Sequence, residues 1–280
     1  MKFILNKIGF CVLGIAMFGF QIPGFAAATK ISSCPYTITK TGLHVVTKNM
    51  NCAGDGITIA QDYVTLDLRG FTLRGDGTGS GITDAGSAQS VIVIKNGTLL
   101  NFDSGVMISA SEDAEISGMR ITENVGAAGY GIFAEEGAHI FDNTVTDNAN
   151  VGIGTGNVFN AVIENNLVRD NGWNGIEAGL GCIVRGNLVA FSGNNGIESI
   201  SRCTISDNFV HNNSNIGIDS GIDSLVQGNN TTNNISWGIS GTCGSVFLDN
   251  MSANNNGGAL QNIYAGNAAD CVAENNNPPF

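Results

Sequence analysis

The chain has 280 residues, and 24 acidic side chains against 12 basic ones give it a formal charge of −12. This balance excludes a nucleic-acid binder, because neutralising phosphates requires clustered Lys and Arg, and it disfavours anionic lipid surfaces for the same reason. An anionic polysaccharide would need a bridging cation.

Residues 1–28 read as a signal peptide. Lys2 and Lys7 form a positive start, Ile8 to Phe20 an apolar run, and Ala26-Ala27-Ala28 a small-residue cleavage site. The apolar run falls short of the about 20 residues that span a bilayer. No later segment is long and apolar enough to cross one, so no membrane contact is expected after cleavage. The expected product is a secreted or periplasmic protein, and its charge is −14 because both lysines leave with the leader. Six of the seven cysteines remain, and an even number in an exported chain points to disulfides. Residues 29–55 form an N-terminal cap, where Cys34 with Cys52 would close a short loop.

From Gly56 to the end, residues 56–280, the chain repeats. Asn166, Asn187, Asn208, Asn229 and Asn250 recur with a constant period of 21, and so do Gly175-Ile176, Gly196-Ile197, Gly217-Ile218 and Gly238-Ile239. Two sets of positions locked to one period mean that each repeat is one turn of a solenoid. The coil "GIEAGLGCIVRGNLVAFSGNN" (175–195) holds three short strands, around Ile176, Val184 and Val189, with Asn or Gly at the corners. Ile153, Ile176, Ile197, Ile218 and Ile239 are expected inside on the first strand. Ile163, Val184, Ile205, Val226 and Phe247 fill the second, and Val168, Val189 and Val210 the third. Like residues stacked on like suit a parallel sheet buried on one face. The asparagine column falls at the corner after the second strand, where each amide can bond its neighbours above and below. About ten coils at roughly 4.8 Å each give a rod on the order of 50 Å long.

These coils, with the asparagine ladder and the opening "CAGDGITIAQDYVTLDLRGFTL" (52–73), resemble the right-handed parallel β-helix superfamily, the pectate-lyase-like fold shared with carbohydrate-binding and sugar-hydrolase domains. The likeness covers about residues 31–276 and is specific for fold rather than activity. Leucine-rich repeats are excluded because their Leu-x-x-Leu-x-Leu frame is missing. A left-handed hexapeptide helix is excluded because 21 is not a multiple of six.

The period carries further expectations. Cys182 and Cys203 stack on adjacent coils, close enough for a bridge, which leaves Cys243 with Cys271. The residue after each inward isoleucine faces out, and in three successive coils it is Glu177, Glu198 and Asp219. Like charges stacked at this spacing repel, so the column calls for an explanation. It can bind a hard cation such as Ca2+, supply a carboxyl of raised pKa for glycoside chemistry, or remain a solvated acidic face. Trp173 and Trp237 approach the same coils and offer flat faces for sugar rings, or else shield a turn. Tyr130 holds the equivalent place in an earlier coil.

The superfamily's lyases pair acidic calcium ligands with an Arg or Lys base, but here Arg185 and Arg202 fall on the second strand or its approach. Arg169 and His211 share a third-strand column. The polygalacturonase set and the Asp-Pro-His-Glu tetrad of uronate epimerases are both missing. The expected function is polysaccharide binding along the first-strand face. The alternatives are a polysaccharide lyase or glycoside hydrolase acting through Glu177, Glu198 and Asp219, with Ca2+ as its cofactor, and a structural or adhesive rod. The C-terminal "ENNNPPF" carries no clear capping element. The last coil therefore calls for a cover, from its own tail or from a partner such as a second copy.

Overall fold

The computed structural model describes residues 27–127, 129–242, 244–255, 263–264, 272–274 and 276. The signal peptide up to residue 26, the thiols of Cys243 and Cys271, and the last four residues lie outside the described residues. Among those described, no helix is long and apolar enough to cross a membrane.

The chain winds as a parallel β-solenoid with three strands to a coil. In the coil of residues 175–195 they are Ile176–Leu180, Ile183–Arg185 and Leu188–Ala190. First strands stack only on first strands, in an eleven-stranded parallel sheet running from Tyr36–Ile38 to Ile263–Tyr264. That stack begins one coil before Gly56, since Tyr36–Ile38 already pairs with Ile57–Ile59. Second and third strands form a twenty-stranded sheet, tied together where Ile92–Leu100 and Glu115–Thr122 continue through the corner between them, bending at Asn96 and Gly118.

The columns stand in the expected register. Ile153, Ile176, Ile197, Ile218 and Ile239 pair in turn and are fully buried, as are the second-strand column from Ile163 to Phe247 and Val168, Val189 and Val210. Burying each such side chain is worth roughly 1.5–3 kcal/mol relative to leaving it exposed. A one-residue slip would turn a whole column to solvent. The glycine before each isoleucine is required by the closeness of the coils. A Cβ on Gly196 would stand 2.6 Å from the Gly217 carbonyl oxygen and 2.7 Å from Asn213 Nδ2.

In the regular coils a described corner turns through one residue in the left-handed region, and the next residue points inward. At the corner after the second strand these are Asp142, Asn165, Gly186, Asp207, Gly228 and Asp249, residue types that tolerate positive φ. The inward successors are the asparagine ladder. Asn187 Oδ1 accepts from the Asn166 N–H at 3.0 Å and from Asn166 Nδ2 at 3.1 Å, and Asn187 Nδ2 donates to the Ile163 carbonyl at 2.9 Å. The ladder runs from Asn143 to Asn276. A second ladder stands at the corner after the third strand, through Asn124, Asn148, Asn171, Asn213, Asn234 and Asn255. Ser192 interrupts it, and its buried hydroxyl has no partner. Asn234, which forms an Asn-x-Ser sequon with Ile235 and Ser236, belongs to this ladder and is buried.

At the remaining corner the inward residues are small: Ala138, Ala161, Cys182, Cys203, Ser224 and Ser245. Cys182 and Cys203 are bonded there, with Cα atoms 4.5 Å apart, and Cys34 is bonded to Cys52.

The ladders predict two opposite stability effects. Asn208→Ala orphans the Asn187 N–H and the Val184 carbonyl among others, and is expected to lower stability by roughly 2–4 kcal/mol in thermal or urea unfolding. Ser192→Asn places an amide where Gly175 already leaves the space that Gly152 and Gly196 leave for Asn171 and Asn213. It is expected to raise stability by about 1 kcal/mol. A destabilised Ser192→Asn would show that the gap is needed for packing.

Candidate functional site

The outward residue that follows each inward Ile or Val of the first strand forms one continuous column: Thr58, Thr83, Met107, Phe133, Gly154, Glu177, Glu198, Asp219 and Ser240. The three carboxylates therefore lie on successive coils, as the period requires. They are half-buried rather than freely solvated. The reason is local. Gly154 has no side chain, and Tyr130 lies over it, so that a Cβ there would stand 2.4 Å from the ring. Tyr130 packs on Phe133 with ring centroids 4.8 Å apart. Tyr130 walls one end of a groove of about 230 Å3, lined further on by Gly156, Asn157, Glu177, Glu198 and Ile200.

Two buried amides fix the carboxylates. Asn174 Nδ2 donates to Glu177 Oε1 at 2.8 Å and to Glu198 Oε2 at 2.7 Å, and Asn195 Nδ2 donates to Glu198 Oε2 at 3.2 Å. The amides are oriented in turn, because Asn174 Oδ1 accepts the Asn195 N–H and Asn195 Oδ1 the Ile216 N–H. These residues escape an inspection confined to charges and aromatics. Their signal was nonetheless present, since the tetrapeptide Asn-Gly-Ile-Glu occurs at 174–177 and again one period later at 195–198.

Burial raises the Glu177 carboxyl above the usual range; the Asn174 hydrogen bond opposes this and the Glu198 charge adds to it. Asp219 is also raised, by burial and then by Glu198, against a hydrogen bond from Ser240. Tyr130 is pushed up by burial and by the Glu177 charge. Glu177 and Glu198 thus share one buried amide donor. Between Glu177 and Glu198 the Asn174 amide occupies the position a bridging cation would take. Among the described residues no group of three or more His, Cys, Asp or Glu side chains is arranged to hold a metal ion.

The tryptophans do not line the groove. Trp173 is 49% exposed and stands in a corner column, hydrogen-bonded through its backbone to Asn150 and Asn194. Trp237 is half-buried in the neighbouring column, which continues from Asn174 and Asn195. Arg185 is bound to Glu164 at 2.5 Å on the second-strand face, where His139 also reaches Glu164 at 2.8 Å, so it is turned away from the groove. A larger depression of about 420 Å3 lies at the corner between second and third strands, against Gly70, Gly97 and Gly118. It is space left by absent side chains and holds no comparable set of acids and donors.

The family described as "Right handed beta helix region" matches residues 26–160. Solved structures share the winding. The mannuronan C-5 epimerase AlgE6 A-module of Azotobacter vinelandii is 14% identical over 84% of this chain and 90% of its own, with a TM-score of 0.56. The periplasmic alginate epimerase AlgG is 14% identical over 88% and 76%, with a TM-score of 0.60. The AlgE4 A-module, also of Azotobacter vinelandii, is 17% identical over 85% and 71%, with a TM-score of 0.54. No curated protein matches the chain in sequence. The chain thus shares the parallel β-helix fold with these structures, and its first half, residues 26–160, resembles the right-handed β-helix family. The matched residues take in Tyr130, Gly156 and Asn157 but end before Glu177 and Glu198, so the chemistry of the two carboxylates is read from their own surroundings.

The raised Glu177 carboxyl gives a signed expectation. The folded chain holds its proton to higher pH than the unfolded chain, so stability falls as pH rises through that window. Glu177→Gln is therefore expected to melt at a higher temperature than the parent at pH 7. The two melts should converge near about pH 3, where the carboxyl is protonated folded or unfolded. A lower melting temperature at pH 7 would mean that ionised Glu177 is held favourably by Asn174.

Proposed function

We propose that this chain is an exported β-helix protein that binds a neutral polysaccharide along the first-strand face, in the groove of Tyr130, Glu177 and Glu198. The observation that carries this reading is the pair of carboxylates fixed by Asn174 beside an aromatic ring. Carboxylate oxygens accept hydrogen bonds from vicinal hydroxyls, and the negative face of a ring attracts the C–H groups of a pyranose. The acidic groove repels uronates, which favours an uncharged chain. The fold is shared with structures named as mannuronan and alginate epimerases, which supports a polysaccharide as the class of partner. Two disulfides support an oxidising compartment outside the cytoplasm.

One observation favours a second reading. Two oxygens that share one amide donor lie within about 5.5 Å of each other, close to the separation of the carboxyl pair in retaining glycosidases. In that reading Glu177 is the acid and Glu198 the nucleophile.

Both readings are tested by incubating the mature protein with neutral and acidic polysaccharides, with and without calcium, while following depletion and released ends together. Binding to a neutral polysaccharide is expected, weakened roughly tenfold by Glu198→Gln or Tyr130→Ala. New reducing ends that vanish in Glu177→Gln would make the protein a hydrolase. Unsaturated products would make it a lyase. Neither depletion nor products would leave a structural or adhesive rod.

A further inference from the structure

The third-strand face carries a cluster that neither the core nor the groove uses. At the corner after the third strand, the left-handed position is held by Glu123, Asp147, Asp170, Asn212, Asn233 and Asn254 in other coils, but by the aromatic Phe191 in the coil of residues 175–195, with φ 56°. A bulky residue there is strained, because its Cβ crowds the backbone where Asn or Asp gains a local hydrogen bond. Packing does not repay the strain, since Phe191 is 50% exposed. Instead its ring meets His211 edge-on, with centroids 5.6 Å apart, and His211 lies against Phe209 at 4.6 Å. Phe209 is 41% exposed, one coil further along.

The cluster has a polar handle. Asn212 Nδ2 lies 2.8 Å from His211 Nδ1, which makes Nδ1 the acceptor and leaves the ring proton on Nε2. Burial lowers the His211 pKa, so the ring is neutral at pH 7. Arg169 and Asp170, hydrogen-bonded to each other, border the cluster on the preceding coil. Flat apolar rings around one directional donor, rimmed by a guanidinium, a carboxylate and an amide, match the alternation of C–H faces and hydroxyls on a sugar. The Phe209 column continues on one side to Leu188, 37% exposed, but on the other side the next coil presents Asn230 and Thr232, whereas a protein interface would call for a wider dry surface.

We propose that Phe191, Phe209 and His211 form a second sugar-stacking site, which takes a neutral pyranose on the third-strand face. A strained, exposed aromatic kept against the pattern of its own column is the observation that points to function. The site goes beyond the first-strand groove and does not rest on it.

The test uses the mature chain with 13C-labelled phenylalanine, titrated with cellohexaose, maltohexaose and xylohexaose. Resonances of the Phe191 and Phe209 rings are expected to move with at least one oligosaccharide, and to move equally in Tyr130→Ala. The same shifts in a chain whose groove fails to bind would sink the groove reading and leave this one standing. Phe191→Asn is expected to melt higher than the parent, because it restores the residue type of its column, and to weaken binding at this face about tenfold. Phe209→Ala should weaken it without changing the molecular mass in solution. Rings that stay still with every sugar, a Phe191→Asn variant that melts lower, or a concentration-dependent dimer abolished by Phe209→Ala would each overturn the proposal.

Discussion

The structure depends on the buried amide. A coil that turns three times within one short period breaks its strand ladders at each corner, and the freed N–H and C=O groups lie inside, away from water. A side chain that both accepts and donates, on a stem short enough to stay in the corner, meets that demand. Asn208 accepts from the Asn187 backbone and side chain while donating to the Val184 carbonyl. Because each amide bonds to the next coil, the corner and the register are fixed by one interaction. The isoleucine columns then supply burial in a register already chosen.

This constraint divides the chain between structure and function. Inward positions cannot vary without breaking a ladder or a column, and most corner positions are Asn, Asp or Gly because of their backbone, with Glu123, Phe191 and Arg202 as exceptions. Only outward side chains are free to differ from coil to coil. The first-strand column shows it, passing from threonine through Phe133 and bare Gly154 to three acids and back to Ser240. A chemical site on such a rod is a departure from repetition, built from neighbouring coils.

The same division explains what the sequence revealed. The solenoid, its three-strand coils, the inward columns and the first ladder were legible because period and burial write the same message in every coil. The second ladder was less so, since Ser192 breaks its spacing. The stacking of Glu177, Glu198 and Asp219 followed from the period alone, but their partial burial did not. It depends on Tyr130 lying across Gly154, a contact between coils that no periodicity encodes. Trp173 and Trp237 looked equivalent along the chain but occupy adjacent columns, because a one-residue offset at a corner separates two stacks. Phe191 was silent in sequence, since its strain appears only once its φ is known.

Tyr63, Arg69, Val91 and Glu123 are also left-handed without being Asn, Asp or Gly, but one stretch combines departures of several kinds. The strained Phe191, the ladder gap at Ser192, the stacked Glu177 and Glu198, and the left-handed Arg202 all fall between residues 175 and 216. Each lowers local stability relative to the repeat, through backbone conformation, a lost amide bond or like charges. The Cys182–Cys203 bond joins these two coils to each other. A covalent tie between adjacent coils limits how far either can separate when the other opens. Its position therefore suits the place where the ladders are weakest and the outward side chains most unlike the rest. In a solenoid each coil is held mainly by its neighbours, so a weak pair threatens the continuity of the rod on both sides. Placing the bond there lets strained and charged residues persist in the middle of the stack, with regular coils on either side to hold them in place.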